Sequence, residues 1–332
     1  MIFHPANLAL VAASLLTASV IVAAAIFALR LVRHWDLASG AERQIRLERT
    51  TYLVSTAVAF VLVVEAVTLV LFAFTADRMA ALFVGAMCAV GTLNASVYGF
   101  PTLWAKIAVF FAASVWLVID HVDNRGRDYP LIRIKYLGIL LLAPLILAEA
   151  GLQLAYFLDL KADTITSCCG RLFGEASTGT GGDMASMDPA HALILLFGGL
   201  AAIGLVGLAA LRYRAAQVLH GPASLAMFLA ALAAVVSVIA PYVYEQPHHH
   251  CPFCILKPEY HHFGFALYLP LFLGTGAGSA AGVLALLPQR ASLATVSPAI
   301  ERRLVHASLF GFALFGAIAA WAIARSGLTL FS

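Results

Sequence analysis

Eight apolar segments, each long enough to cross a bilayer, constrain this chain more than anything else in it. They run over about 8–29, 51–74, 101–120, 136–158, 190–211, 222–244, 262–287 and 304–327. A helix needs about 20 residues to span a hydrocarbon core of about 30 Å. Lipid offers no partner to a backbone N–H or C=O, so every crossing segment must be helical. Hydrophobic residues make up 62% of the chain and charged residues 11%, where soluble domains carry about 25% charged. That surplus exceeds what a soluble core consumes, and it must face lipid. The expectation is an all-α polytopic membrane helix bundle of about eight transmembrane helices, a single integral membrane domain over 1–332 whose first partner is the lipid bilayer. No basic run of the kind that grips nucleic acid occurs, so no nucleic-acid partner is expected. Leu8 to Phe27 lacks a preceding basic region and is followed by Arg30 and Arg33, which reads as a retained span.

The basic residues orient the bundle. Loops one, three, five and seven hold Arg30, Arg33, Arg43, Arg46, Arg49, Arg125, Arg127, Arg133, Lys135, Arg212, Arg214, Arg290, Arg302 and Arg303. The alternate loops and the C-terminal end hold only Arg78, Lys161, Arg171, Lys257 and Arg325. Basic residues collect on the cytoplasmic side, so both termini are expected outside. The corresponding location is a bacterial inner membrane, with segments 75–100, 159–189 and 245–261 periplasmic and forming the functional face. The apolar stretch 78–98 is too short for two crossings, and one crossing would reverse every later loop. It reads as an additional interfacial or re-entrant helix.

All five cysteines fall on that face. The strongest local signal is His248-His249-His250-Cys251-Pro252-Phe253-Cys254. A Cys-x-x-Cys pair at the start of a span suits a reactive dithiol, because a positive environment stabilises thiolate. The same residues suit a metal, with His248, His249, His250, Cys251 and Cys254 as ligands for copper, zinc or another soft ion. Cys168 and Cys169 are adjacent, and a disulfide between neighbours is strained and labile. Alternatively each thiol pairs elsewhere, or both bind a soft ion. Cys88, in Met87-Cys88-Ala89-Val90-Gly91, reads as a small buried core residue, and as the odd cysteine of the five it is also a spare thiol or extra ligand.

Glu65, Lys106 and Glu149 lie inside spans, where ionisable groups are costly and face the bundle interior. Counting from the span ends puts all three in the outer half of the membrane. A buried Glu–Lys pair that fixes helix packing, a proton path, a quinone pocket and an ion site all fit them. No histidine pair stands at transmembrane depth and no Cys-x-x-Cys-His occurs, so haem is not expected.

The run Cys251-Pro252-Phe253-Cys254-Ile255-Leu256-Lys257-Pro258-Glu259-Tyr260, opening a span, resembles the periplasmic motif of the disulfide bond formation protein B (DsbB) family. That family, like the vitamin K epoxide reductases, joins a membrane-embedded Cys-x-x-Cys to a second loop cysteine pair. The resemblance implies a thiol–disulfide oxidoreductase with a quinone-coupled centre at Cys251 and Cys254 and a shuttle pair at Cys168 and Cys169. Glu65, Lys106, Glu149, Lys257 and Tyr260 are then the candidates around the quinone, and a periplasmic thiol protein is the partner. Two other readings remain open. One is outer-face binding or transport of copper, zinc or another soft metal, with a metal carrier as partner. The other is a non-catalytic membrane subunit of a larger complex.

Overall fold

The computed structural model describes residues 4–36, 42–126, 128–161, 165–166, 180–288 and 290–330. Among these residues there are helices and no strand. Eight helices are long and apolar enough to cross a membrane, one on each expected segment. We label the helices α1 (Pro5–His34), α2 (Glu42–Met79), α3 (Ala89–Asn94), α4 (Gly99–Asp123) and α5 (Ile132–Asp159). They continue with α6 (Thr180–Ala185), α7 (Pro189–Ala210), α8 (Arg214–Tyr244), α9 (Phe263–Leu286) and α10 (Val296–Arg325). The chain is thus an integral, multi-pass helical membrane protein. Its surface agrees, since Leu141, Leu205 and Phe310 stand in mid-helix at 78%, 69% and 68% exposure. A water-facing helix would carry polar residues there.

Contacts divide the chain into two compact units. The first is Met1–Thr75, Ala95–Thr164 and Pro288–Ile300, and contains α1, most of α2, α4 and α5. Its core gathers Ile21, Leu31, Val58, Leu62, Trp116, Tyr136 and Ile146. Polar ties cross this core where helices need fixing. The Trp116 indole donates to the Lys135 carbonyl at 2.9 Å, the Tyr136 hydroxyl to the Thr51 carbonyl at 3.0 Å, and the Gln153 amide to Ser14 Oγ at 2.7 Å.

The second unit is Ala76–Asn94, Ile165–Leu287 and Glu301–Ser332, with α7, α8, α9 and most of α10. Lipid tails give no hydrophobic drive between helices, so close backbone packing must supply attraction. A Cβ on Gly282 would sit 2.6 Å from the Gly221 Cα, and one on Gly311 would sit 2.7 Å from the Gly274 Cα. These contacts seam α9 to α8 and to α10, and they admit only glycine.

The segment expected as an additional helix over 78–98 is broken in two. A 3₁₀ turn at Ala80–Leu82 is followed by a bend and then by α3. Gly85 makes the bend at φ +89°, and a Cβ there would lie 2.2 Å from the Thr166 carbonyl oxygen. Thr166 lies against this bend, its N–H donating to the Val84 carbonyl and its hydroxyl to the Gly91 carbonyl.

Candidate functional site

Three sulfurs meet in the second unit. The Sγ atoms of Cys88, Cys251 and Cys254 all lie within 4.8 Å of one another. Cys88 and Cys251 are 3.6 Å apart, a thiol hydrogen-bond distance, where a disulfide would be about 2.05 Å. All three are buried, Cys88 and Cys251 at 0% exposure and Cys254 at 7%. The expected pair Cys251 and Cys254 is therefore brought together, and Cys88 belongs with it. The sequence signal for Cys88 was only its position on the cysteine-bearing face. Cys168 and Cys169 lie outside the described residues.

The two segments that meet here are held by their backbones. Lys257 Nζ donates to the Met87 carbonyl, one residue before Cys88. Asp77 accepts the Ala89 N–H at 3.2 Å, one residue after it. On the other side the Tyr244 hydroxyl donates to the Cys251 carbonyl and the Tyr268 hydroxyl to the Pro252 carbonyl. The loop reverses through left-handed residues Glu245, His261 and His262, at φ 54°, 52° and 55°. Tyr244 stacks on His249 at 4.1 Å between ring centroids and packs against Tyr260 at 4.6 Å. Burial raises the Tyr260 phenol above its ordinary pKa, helped by Cys254, Glu259 and Cys251 and opposed by Lys257. A tyrosine of ordinary pKa is already an O–H donor at neutral pH, and the shift acts in the same direction.

The expected histidine ligands separate. Among the described residues no histidine nitrogen lies within that distance of all three sulfurs. His249 is used in stacking. His250 is 6% exposed, and its Nδ1 lies 2.9 Å from the Val236 carbonyl. That carbonyl is available for a reason legible in the chain. Val235–Ile239 forms a π-helical turn, in which carbonyl 236 looks for the N–H of residue 241. Residue 241 is proline and has none. A carbonyl accepts only, so His250 carries its proton on Nδ1, and its buried Nε2 is left without a partner among the described residues.

The charged candidates fall in different units, Lys257 and Tyr260 in the second and Glu65, Lys106 and Glu149 in the first. The latter three do meet. Lys106 Nζ is 3.0 Å from Glu65 Oε1, 2.7 Å from Glu149 Oε1 and 3.1 Å from Thr68 Oγ1. A second cluster of the same composition escaped sequence reasoning. Lys135 Nζ is 3.1 Å from Asp120 Oδ1 and 2.8 Å from Asp123 Oδ2. Lys135 reads as a loop charge in the sequence, but α5 starts at Ile132 and buries it at 1% side-chain exposure. The available signal was the Asp120–Asp123 spacing of three, which puts both carboxylates on one helix face at the end of a span.

No protein-family model, curated protein or solved structure matches this chain.

Proposed function

We propose that this membrane protein is a thiol–disulfide redox protein whose centre is Cys88, Cys251 and Cys254, coupled to a quinone. The observation that carries this reading is the 3.6 Å approach of Cys88 to the first cysteine of a Cys-x-x-Cys pair, with the third sulfur within 4.8 Å of both. Disulfide exchange needs three sulfurs in one place: an attacking thiolate, the sulfur attacked and the sulfur that leaves. Here a Cys251–Cys254 disulfide passes to Cys88–Cys251 with a small movement of side chains.

The chemistry balances with two named co-reactants. A thiol protein on the cysteine-bearing side gives up two thiols and becomes a disulfide, while the centre's disulfide is reduced through a mixed disulfide. The centre then closes its disulfide again, and its two electrons and two protons convert a quinone to a quinol. The three sulfurs are too buried for direct docking of a protein thiol. Cys168 and Cys169 are therefore assigned the shuttle between partner and centre. Thr166, two residues before that pair, is tied to Val84 and Gly91 beside Cys88. Tyr260, kept protonated, and Lys257 supply donors for a quinone carbonyl. The membrane concerned is a bacterial inner membrane, with this centre on the periplasmic side.

Alkylation trapping with mass spectrometry on native membranes tests this. Oxidised quinone should drive a disulfide among Cys88, Cys251 and Cys254, and quinol with a dithiol reductant should open it. Cys88→Ser should leave only Cys251–Cys254. Redox states unchanged between quinone and quinol would overturn the proposal.

A second reading has its own observation. Tetrahedral zinc at about 2.3 Å from sulfur places two sulfurs about 3.8 Å apart, close to the 3.6 Å found here. The reading is soft-metal binding, of copper(I) or zinc. Stoichiometric metal in the purified protein, lost in Cys251→Ser, would move the assignment to this second reading.

A further inference from the structure

The first unit holds two lysine–dicarboxylate clusters of equal formal charge, and they are finished differently. In the cluster on Lys135, the carboxylates have donors beyond the lysine. Asp120 accepts from the Ser55 hydroxyl and from the Asn124 amide, and Asp123 accepts the Leu131 N–H at 2.8 Å. In the cluster on Lys106, the ammonium donates to Glu65 Oε1 and Thr68 Oγ1, and Glu149 Oε1 faces it at 2.7 Å as an ion pair without hydrogen-bond alignment. The Thr68 hydroxyl turns its single proton back on Glu65, to its carbonyl or its Oε1. Glu65 Oε2 and both Glu149 carboxylate oxygens have no hydrogen-bond donor among the described residues. Both carboxylates have side-chain exposures of at most 1%.

Among the described residues of α1, α2, α4 and α5, no other charge within the span offsets this cluster. On α1 no titratable residue lies between Pro5 and Leu29. On α2 Glu65 is alone between Tyr52 and Thr75, and on α4 Lys106 is alone between Gly99 and Ile119. On α5 the only titratable neighbour between Leu137 and Leu158 is Tyr156, whose ring packs against Phe72, itself 5.8 Å from Lys106 Nζ. Lys106 is seven residues into α4 and Glu149 ten residues from the end of α5, depths of about 10 and 15 Å along the helices. One uncompensated negative charge at such a depth costs several kcal/mol. A single proton on either carboxyl cancels it and creates the missing donor.

We propose that Glu65 and Glu149 share one exchangeable proton against Lys106, making the first unit a proton-binding site within the membrane. The carboxyl group holds the proton as a neutral O–H and gives it up as carboxylate. Lys106 is the fixed cation that limits the site to one proton. The cluster on Lys135 is its built-in contrast: Asp120 and Asp123 each take a donor besides the lysine, and Asp123 Oδ2 faces only the ammonium, at 2.8 Å.

Infrared spectroscopy on the full chain in lipid nanodiscs, titrated over pH in H₂O and D₂O, tests this. Wild-type protein should show the C=O stretch of one buried carboxylic acid, shifted by deuteration. Glu65→Gln and Glu149→Gln should each abolish the band, because either leaves a neutral Lys–Glu pair with its remaining carboxylate ionised. Lys106→Met should double the band, since both carboxyls then hold protons. Asp123→Asn should leave it unchanged. Four results would overturn the proposal: no carboxylic band in the wild type, no deuteration shift, loss of the band in only one glutamine variant, or its removal by sodium ions at constant pH. The last would make the site one for a metal cation.

Discussion

The two lysine clusters of the first unit carry the same residues in charge terms but place them in different surroundings. Lys135 sits where α4 ends and α5 begins, so the open N–H of Leu131 and the polar side chains of Ser55 and Asn124 are at hand for Asp120 and Asp123. Lys106 sits within its span, where backbone N–H groups are committed to the helix and the Thr68 hydroxyl is the donor that reaches Glu65. Two carboxylates around a lysine can be stable when donors surround them. The same arrangement without donors calls for a proton. What differs is the supply of hydrogen bonds, which a helix end provides and a helix middle does not.

The largest test of that contrast is removal of each cation. Lys135→Met strips the lysine from two hydrogen-bonded aspartates, and we expect a loss of about 3–5 kcal/mol in unfolding free energy. Lys106→Met should cost clearly less, because the glutamates can take up a second proton. Equal losses in a detergent or lipid unfolding titration would break the comparison. The next test neutralises one carboxylate. Asp123→Asn weakens a charge-assisted bond from Leu131 and should cost about 1–3 kcal/mol. Glu149→Gln replaces a group that already shares a proton and should cost under about 1 kcal/mol in the same titration. The smallest test removes single hydroxyls. Ser55→Ala should cost about 1–2 kcal/mol through Asp120. Thr68→Ala should cost less, and should leave the carboxylic infrared band in place.

Much of the fold was legible in the chain. The eight spans fall on their expected segments, and most ends shift outward, by as much as nine residues at Glu42, because the helices run past the apolar core into flanking polar residues, as at Glu42–Thr50 and Arg214–His220. The site was only partly legible. Cys251 and Cys254 announce themselves by spacing, but Cys88 stands 163 residues away in an apolar context, and nothing local marks its partner. Glu65, Lys106 and Glu149 could be grouped by depth, since a charge in a span must find a counter-charge. Lys135 could not, because a basic residue beside a loop looks the same whether it faces water or two aspartates. Nor could the His250 tautomer be read before the π-helical turn and Pro241 were seen together.

The sequence by itself determined that this chain lies in a membrane, how many times it can cross and that each crossing is helical. Lipid leaves a backbone no alternative, so apolar length alone decides these points. Only the tertiary structure decided which thiols meet, which carboxylates share a lysine and which buried oxygens lack a donor. Those outcomes depend on how each helix is rotated and where helices cross, and a side chain's burial cost is met by whichever group those rotations place within about 3 Å of it.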